Sequence, residues 1–483
     1  MNVINGPCDI ITRLRWSHYV SGLNQNNRVW MITSATNASF VYILGMYQGN
    51  FIFPPESTNP ILNVSSENPS VFILKLKLDG TYSSFSILGT YTQPNPFFPN
   101  GQMLIGDGDS IYLSINFRST FVTTFGQMTI PRTSRGNILM IFKMRLNQSA
   151  TTVPIGTTAI ALVWAKTITT SGGGNFPRIA LNRSFSLLYF CGSYIDSVTI
   201  DNTILTVVVQ DFPQPISGYY GIMNTSNGNI NLLSQIRSRF SSSLYSIGVA
   251  NNDNFVISGT FWKDLRVGTQ TLTNSKNVLQ MFVCKLNANG TVVWLVQPPI
   301  GTPPFPNLLT QGNFPYDLAI DGSNNIYVTG TMQVNTTLGN TNIIAENGKN
   351  FITKLNTNGD FLWGRAISRF IPQISREFTQ VIVGTNGQIF CTGHFVHRAR
   401  FEESVNGSTI IQKELIGSGS YDLYVASISS NGSWNWCTSV SCVLDQDGSP
   451  SLSRDNSSNL YIVSTNPLSD INRGGFILSI KTV

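Results

Sequence analysis

A chain of 483 residues is long enough for several small domains or for one large repeat fold. An apolar share of 41% excludes a disordered tail, while 11% Asp, Glu, Lys and Arg, against roughly 25% in ordinary soluble domains, leaves the polar surface to Asn, Ser, Thr, Gln and Gly. The net charge of +6 is spread thinly, with no Lys or Arg run to make a phosphate-binding stripe, so nucleic acid is not an expected partner.

The opening, MNVINGPCDIITRLRW, lacks a basic head followed by an apolar segment, and no uncharged apolar stretch is long enough for a membrane helix. Neither classical secretion nor membrane insertion is expected. Residues 10–22, IITRLRWSHYVSG, read as a lone strand carrying Trp16. One unit then recurs. Diffuse copies begin at Phe40 and Phe72, at Ile111 and Ile141, and at Leu187 and Tyr220. Clear copies follow, first NFVISGTF (254–261) with FVCKLNANGTVVW (282–294). YDLAIDGSNNIYVTGTM (316–332) is next, with FITKLNTNGDFLWGRAI (351–367), and then QIFCTGHF (388–395) with YVASISSNGSWNW (424–436). Each reads as four antiparallel strands, and in the 316–367 copy the hairpins turn at Asp321 and Gly322 and at Asn358 and Gly359, where a left-handed backbone suits Gly and is tolerated by Asn. Trp294, Trp363 and Trp436 each stand four residues after the turn glycine. A last copy starts at Leu460 and ends on a third strand, FILSIKTV.

Aligned on Gly45, Ile115, Gly192, Gly259, Gly330, Gly393 and Ser464, the second strands recur at intervals of 70, 77, 67, 71, 63 and 71 residues. A four-stranded sheet cannot bury both faces alone, so the expectation is an all-β, seven-bladed β-propeller with four-stranded antiparallel blades in a single domain over residues 1–483. Its blades span 23–90, 101–170, 175–237, 243–297, 314–368, 376–440 and 448–483. The last lacks an outer strand of its own, and the 10–22 segment supplies it, with Trp16 in the fourth-strand position. Trp164, Trp294, Trp363 and Trp436 are expected near blade edges, each indole N–H needing an acceptor.

The motif DLAIDGSNNIYVTGTM with FITKLNTNGDFLWGRAI resembles the SBBP type of β-propeller repeat: an aspartate before a turn, an Ile-Tyr-Val-Thr-Gly strand, a Lys-Leu strand, an Asn-Gly turn and a tryptophan. The likeness is strong over residues 240–440 and diffuse over 40–240 and after 445, where Ser114 and Ile115, or Val463 and Ser464, replace the Thr-Gly pair. The resemblance implies a propeller of mostly uncharacterised role, often in exported, cell-surface or large-virus proteins, and it implies no catalytic chemistry. The Asn-rich, cysteine-poor composition is closer to the members from large DNA viruses, which implies a virion or host-cytoplasm setting.

Candidate chemistry is sparse. The six cysteines, Cys8, Cys191, Cys284, Cys391, Cys437 and Cys442, show no paired spacing and read as isolated buried thiols. The ten Asn-x-Ser/Thr sequons follow from composition. A three-histidine metal site would have to join His18, His394 and His397, and the last two should face opposite sides of a strand. No Gly-x-Ser-x-Gly elbow surrounds a serine. Asp107, Asp109, Asp253, Asp321 and Asp455 fall at expected turns, where a short carboxylate accepts backbone hydrogen bonds. Asp445-Gln446-Asp447-Gly448 resembles only a fragment of a calcium loop, and Gly172-Gly173-Gly174 reads as a connector. The basic segment from His394 to Phe401 reads as a solvated strand end. No catalytic, cofactor-binding or metal residues and no cofactor are therefore expected.

Long irregular inserts separate the second and third strands at 50–70, 117–137 and 398–420, and a proline-rich connector spans 298–309. Their Phe, Ile and Pro residues are expected to pack across one face or against a partner. The expected function is a noncatalytic structural or protein-interaction scaffold, with a capsid or other virion protein as partner. The alternatives are a carbohydrate-binding propeller and a carboxylate-based glycan-processing enzyme.

Overall fold

The computed structural model describes residues 14–20, 28–53, 62–91, 101–118, 123–125, 128–130, 137–147, 159–171, 174, 177–207, 216–301, 312–345, 348–369, 379–405, 408–444, 450–467 and 473–482. Among the described residues the regular structure is all strand apart from one 3-10 turn at Asp107–Asp109. The chain divides into two compact units, one within 170–442 and the other within 9–169 and 443–483.

In the second unit, Arg28–Thr36, Phe40–Phe53, Leu62–Lys77 and Tyr82–Tyr91 form one antiparallel sheet. Gly101–Ile105, Ser110–Arg118, Asn137–Asn147 and Ala159–Thr170 form the next. Ser451–Arg454, Leu460–Pro467 and Arg473–Ile480 form a third, and Leu14–Val20 is its outermost strand, with Trp16 opposite Ser479 and His18 opposite Ile477. The lone strand thus pairs where the sequence led us to expect it.

The unit within 170–442 repeats the plan. Arg178–Leu181, Leu187–Ile195, Ile216–Asn224 and Ile230–Gln235 pair in that order. So do Ser241–Val249, Phe255–Trp262, Gln280–Leu286 and Val292–Val296. They are followed by Asn313–Ile320, Ile326–Met332, Lys349–Leu355 and Phe361–Arg369. Gln380–Val383, Ile389–Val405, Ser408–Ile428 and Trp434–Leu444 complete the series.

Strand alternation gives each sheet two apolar faces, and within each unit successive sheets cover them. One layer joins Tyr42, Leu44 and Met46 to Leu113, Ile115 and Met140, and another joins Phe72 and Phe85 to Tyr461 and Ile477. In the 170–442 unit the layers run from Tyr189 to Phe282, from Val283 to Phe351 and from Ile352 to Phe401. The four cysteines whose side chains are described, Cys191, Cys284, Cys391 and Cys437, are buried and unbridged in these layers. Burial pushes the Cys191 and Cys391 thiols up to about 12, which keeps them inert.

A polar latch repeats over the apolar layers. The Trp294 indole donates to the Thr357 carbonyl at 3.0 Å, and Lys285, opposite Trp294 in the ladder, donates to the same oxygen at 3.1 Å. Trp363 and Lys354, likewise opposite one another, both donate to the Ser430 carbonyl at 3.1 Å. In the other unit Trp16 donates to the Leu78 carbonyl at 3.0 Å and His18 bonds the Gly80 carbonyl at 2.9 Å. Each acceptor lies in the turn between third and fourth strands of the neighbouring sheet, and each indole packs on that turn's glycine. A Cβ on Gly359 would lie 2.9 Å from Trp294, and one on Gly432 would lie 2.9 Å from Trp363. The Lys-Leu strand, the Asn-Gly turn and the tryptophan are thus parts of one inter-sheet contact.

The first hairpin turns differently from the expectation. The turn spans Asp321 to Asn325, and its left-handed residue is Asn324 (φ 62°) instead of Gly322. The Asp321 carboxylate accepts the Ser323 and Asn325 N–H groups, the Asn325 amide and the Tyr327 hydroxyl, so a side chain fixes the turn and glycine is not required. Asp455 does the same with Ser457, Asn459 and Tyr461.

Gly359 has φ +91° and lies under Trp294, whereas Gly322 has open space. Gly359→Ala should therefore destabilise by about 1–3 kcal/mol in urea unfolding, through backbone strain and ring displacement. Gly322→Ala should stay within about 0.5 kcal/mol of the parent.

Candidate functional site

Where they are described, the inserts pair as antiparallel strands, which corrects the expectation of irregular loops. Phe51 and Phe53 continue the second strand of the 28–91 sheet and pair with Val64 and Leu62; Phe51 buries against Tyr47, Phe72 and Phe85, and Phe53 against His18 and Tyr82. Thr123–Phe125 and Met128–Ile130 form a hairpin in the second insert. Similarly short ones follow at Ser197–Ile200 with Thr203–Thr206, Asp264–Val267 with Gln270–Thr273, and Thr336–Leu338 with Thr341–Ile343. Two-residue turns close these three, with Asp201, Gly268 and Gly339 at positive φ.

Within each unit these hairpins bond to the fourth strand, or its exit, in the preceding sheet. Thr123–Phe125 pairs with Tyr91 to Gly89, Arg266 with Arg237, and Thr336 with Ile300 in the proline-rich connector. The connector beyond residue 301 lies outside the described residues. The longest insert, between Val396 and Tyr421, pairs Ala366 with Glu402 and Arg369 with Ala399, merging two four-stranded sets into one eight-stranded sheet. Backbone groups that a flexible loop would leave to water are thereby consumed in inter-sheet ladders.

A shallow open cleft, with room for little more than a water molecule, lies where this long hairpin meets the 336–343 hairpin, lined by Thr341, Asn342, Ile344, Glu402, Glu403 and Thr409. Its two carboxylates are both engaged. Glu402 accepts Lys349 Nζ at 2.7 Å and the Ser368 hydroxyl, with the two charged side chains only 10% and 14% exposed. Glu403 accepts the Arg365 guanidinium at 2.8 Å, and Arg365 also donates to the Gly432 carbonyl. Burial lowers the Arg365 pKa and Glu403 opposes that shift. Each carboxylate is neutralised by its own cation, and the pairs bolt the hairpin to the preceding sheet.

A second polar cluster joins the first strands of the 170–442 unit. Ser193 bonds Leu244 through both backbone groups, and Ser246 accepts the Leu318 N–H at 3.0 Å while donating to Asp317 at 3.3 Å. Asp317 also accepts the Val381 N–H at 3.0 Å, so one carboxylate ties three first strands together. Desolvation raises its pKa, and Arg178 and these donors only partly oppose that. In the other unit Ser34 bonds Ser453 and Ser451 in the same way. Sequence reading missed this cluster, because Asp317 sits in a strand that its apolar neighbours define and only the spatial neighbours reveal the role.

The sequence candidates disperse. His394 is buried, whereas His397 is exposed at a bulge with φ 59°. His18 lies on the outer strand of the other unit, where burial lowers its pKa. Phe395, Ala399 and Phe401 are buried, and Arg398 and Arg400 both reach Glu414, at 3.3 and 2.8 Å. The basic segment is accordingly a paired, solvated strand face. Asp109 accepts Asn37 at 2.6 Å and joins two turns, and Asp253 occupies a left-handed turn position. Asp445 to Gly448, Gly172, Gly173 and Cys8 lie outside the described residues. Among the described residues no group of three His, Cys, Asp or Glu could hold a metal ion.

No family profile matches the chain, and no curated protein matches it. Among solved structures, the WD40 domain of Toxoplasma gondii coronin aligns at 9% identity and TM-score 0.38, covering 96% of this chain and 88% of that one. A Dyadobacter fermentans protein of unknown function aligns at 9% identity and TM-score 0.37, covering 79% and 94%. The NanB sialidase of Streptococcus pneumoniae aligns at 7% identity and TM-score 0.27, covering 97% and 99%. Scores this low carry no functional argument, and the fold description rests on the strand ladders.

Lys349→Met strands the Glu402 charge and should cost about 3 kcal/mol in equilibrium unfolding, whereas Lys349→Met with Glu402→Leu should recover most of that loss. Arg398→Ala, at a surface pair, should cost under about 1 kcal/mol. Because the folded-state pKa of Asp317 is raised, the folded chain binds the proton more tightly, and this group's contribution to stability grows as pH falls toward the ordinary carboxylate range. Asp317→Asn removes this proton-binding group, so the rise in urea midpoint on mild acidification should be smaller in that variant than in the parent.

Proposed function

We propose that the chain is a noncatalytic protein-interaction scaffold, built as a seven-bladed β-propeller whose hairpin inserts brace successive blades and offer their outer sides to a protein partner. The repeated four-stranded plan, the Leu14–Val20 strand on the outside of the last sheet and the bonds between first strands support the architecture. The repeat that resembles the SBBP type supports it as well.

The observation that carries the interaction reading is on the hairpins. Their backbones are tied down, yet Ile204, Ile410, Ile411 and Ile416 are 63%, 42%, 48% and 59% exposed, and Ile344, just past a hairpin end, is 40% exposed. Apolar side chains held rigidly in water gain about 25 cal/mol per Å² when a partner covers them, with little ordering cost left to meet. Catalysis through Glu402 and Glu403 draws no comparable support, since each is held by a cation. Sugar stacking draws little, since Trp164, Trp262, Trp363 and Trp434 are buried.

The large-virus resemblance makes a virion coat protein the first partner to test. Crosslinking mass spectrometry on the native particle should give links from Lys413, on the long hairpin, to one coat protein. Ile411→Asp with Ile416→Asp should lower their yield several-fold at an unchanged unfolding midpoint. A soluble pool with no Lys413 links, or links that the double variant leaves intact, would overturn the proposal.

A further inference from the structure

Five described turns contain an Asn-Gly pair: Asn227, Asn289, Asn358 and Asn431 between third and fourth strands, and Asn386 in the first hairpin of the 380–444 sheet. All five asparagines are exposed, and all five glycines have positive φ. In such a pair the peptide nitrogen of glycine can attack the asparagine carboxamide, because no side chain obstructs the approach. Exposure does not separate the five; what holds the carboxamide does.

At four turns the side-chain oxygen is fixed by the N–H two residues on. Asn227 accepts Asn229 at 2.9 Å, Asn289 accepts Thr291 at 3.1 Å, Asn386 accepts Gln388 at 3.2 Å and Asn431 accepts Ser433 at 3.2 Å. Asn289 gains a second bond from the Thr291 hydroxyl at 2.7 Å. Asn358 has neither. Asp360 gives its N–H to Asn356 at 3.0 Å, and its carboxylate, which has no proton to donate, accepts the Asn356 amide at 2.8 Å. Among the described residues nothing bonds the Asn358 carboxamide. The nucleophile is also least tied there. Gly359 N–H reaches its turn acceptor at 3.2 Å, against 2.8 Å at Gly228 and Gly290, 2.9 Å at Gly432 and 3.1 Å at Gly387.

We propose that, among these five described Asn-Gly pairs, Asn358 is the preferred site of succinimide formation and isoaspartate conversion. Gly359 N loses its proton to base and bonds to Asn358 Cγ, and the Cγ–Nδ2 bond breaks with release of ammonia. Water then opens the ring at either carbonyl, giving aspartate or isoaspartate. The isoaspartate product adds one carbon to the backbone directly after Thr357, whose carbonyl holds Trp294 and Lys285. Ageing at this one residue therefore loosens a latch between two sheets of the 170–442 unit.

The test is peptide mapping that separates aspartate from isoaspartate, on the folded full chain held in mildly alkaline buffer. Asn358 should convert several-fold faster than the other four, and the spread should collapse when the chain is denatured first. Asp360→Thr, which supplies the hydroxyl that Thr291 supplies to Asn289, should slow Asn358 to the Asn289 rate. Equal rates in the folded chain, faster conversion at any other of the five, or no slowing in Asp360→Thr would overturn the proposal.

Discussion

A carbonyl in the third-to-fourth strand turn, seen at Leu78, Thr357 and Ser430, is the contact on which the sheet stacking depends. Face-to-face packing of two β-sheets is held by apolar area and is indifferent to small slides. A carbonyl that takes an indole N–H and an ammonium from the neighbouring sheet, as Thr357 and Ser430 do, fixes the slide. The turn glycine is part of the device, because its missing side chain leaves room for the indole. Each such bond is worth only about 1 kcal/mol net, so its main effect is on register.

The hairpins add a second layer of inter-sheet bonding at another level. Once they pair with the preceding sheet's outer strand or its exit, they extend sheets instead of wandering over them, and this converts stretches of low sequence regularity into rigid surface. The buried pairs Lys349–Glu402 and Arg365–Glu403 serve the longest hairpin in the same way. With so few charges in the chain, two ion pairs gathered at one junction say where the largest overhang needs orientation as well as area.

Much of the repeat was legible because its parts are short-range. Alternating apolar residues, an Asn-Gly turn and a tryptophan at fixed spacing all act within one hairpin, so Trp294 and Trp363 could be expected to need acceptors, though the acceptors Thr357 and Ser430 could not be named. The pairing of Leu14–Val20 with Arg473–Ile480 was legible for a different reason: a final unit short of one strand and an orphan strand at the opening fit each other. The inserts were misread for two reasons: Thr123–Phe125 and Met128–Ile130 run only three residues a side, too short for alternation to stand out, and Phe40–Phe53 and Ile389–Val405 carry a second strand on past the expected blade edge.

The sequence by itself determined the strand order within each four-stranded repeat, the Asn-Gly turns between third and fourth strands and the lack of any histidine or cysteine spacing suited to a metal or a nucleophile, because those properties are set by neighbours along the chain. Only the tertiary structure decided that Asp317 would tie three first strands, that Glu402 would meet Lys349, and that the long insert would become an edge of the preceding sheet. Those partners lie from 30 residues apart, for Arg369 and Ala399, to 71 apart, for Ser246 and Asp317. Their meeting depends on how sheets stack, and no local pattern encodes that.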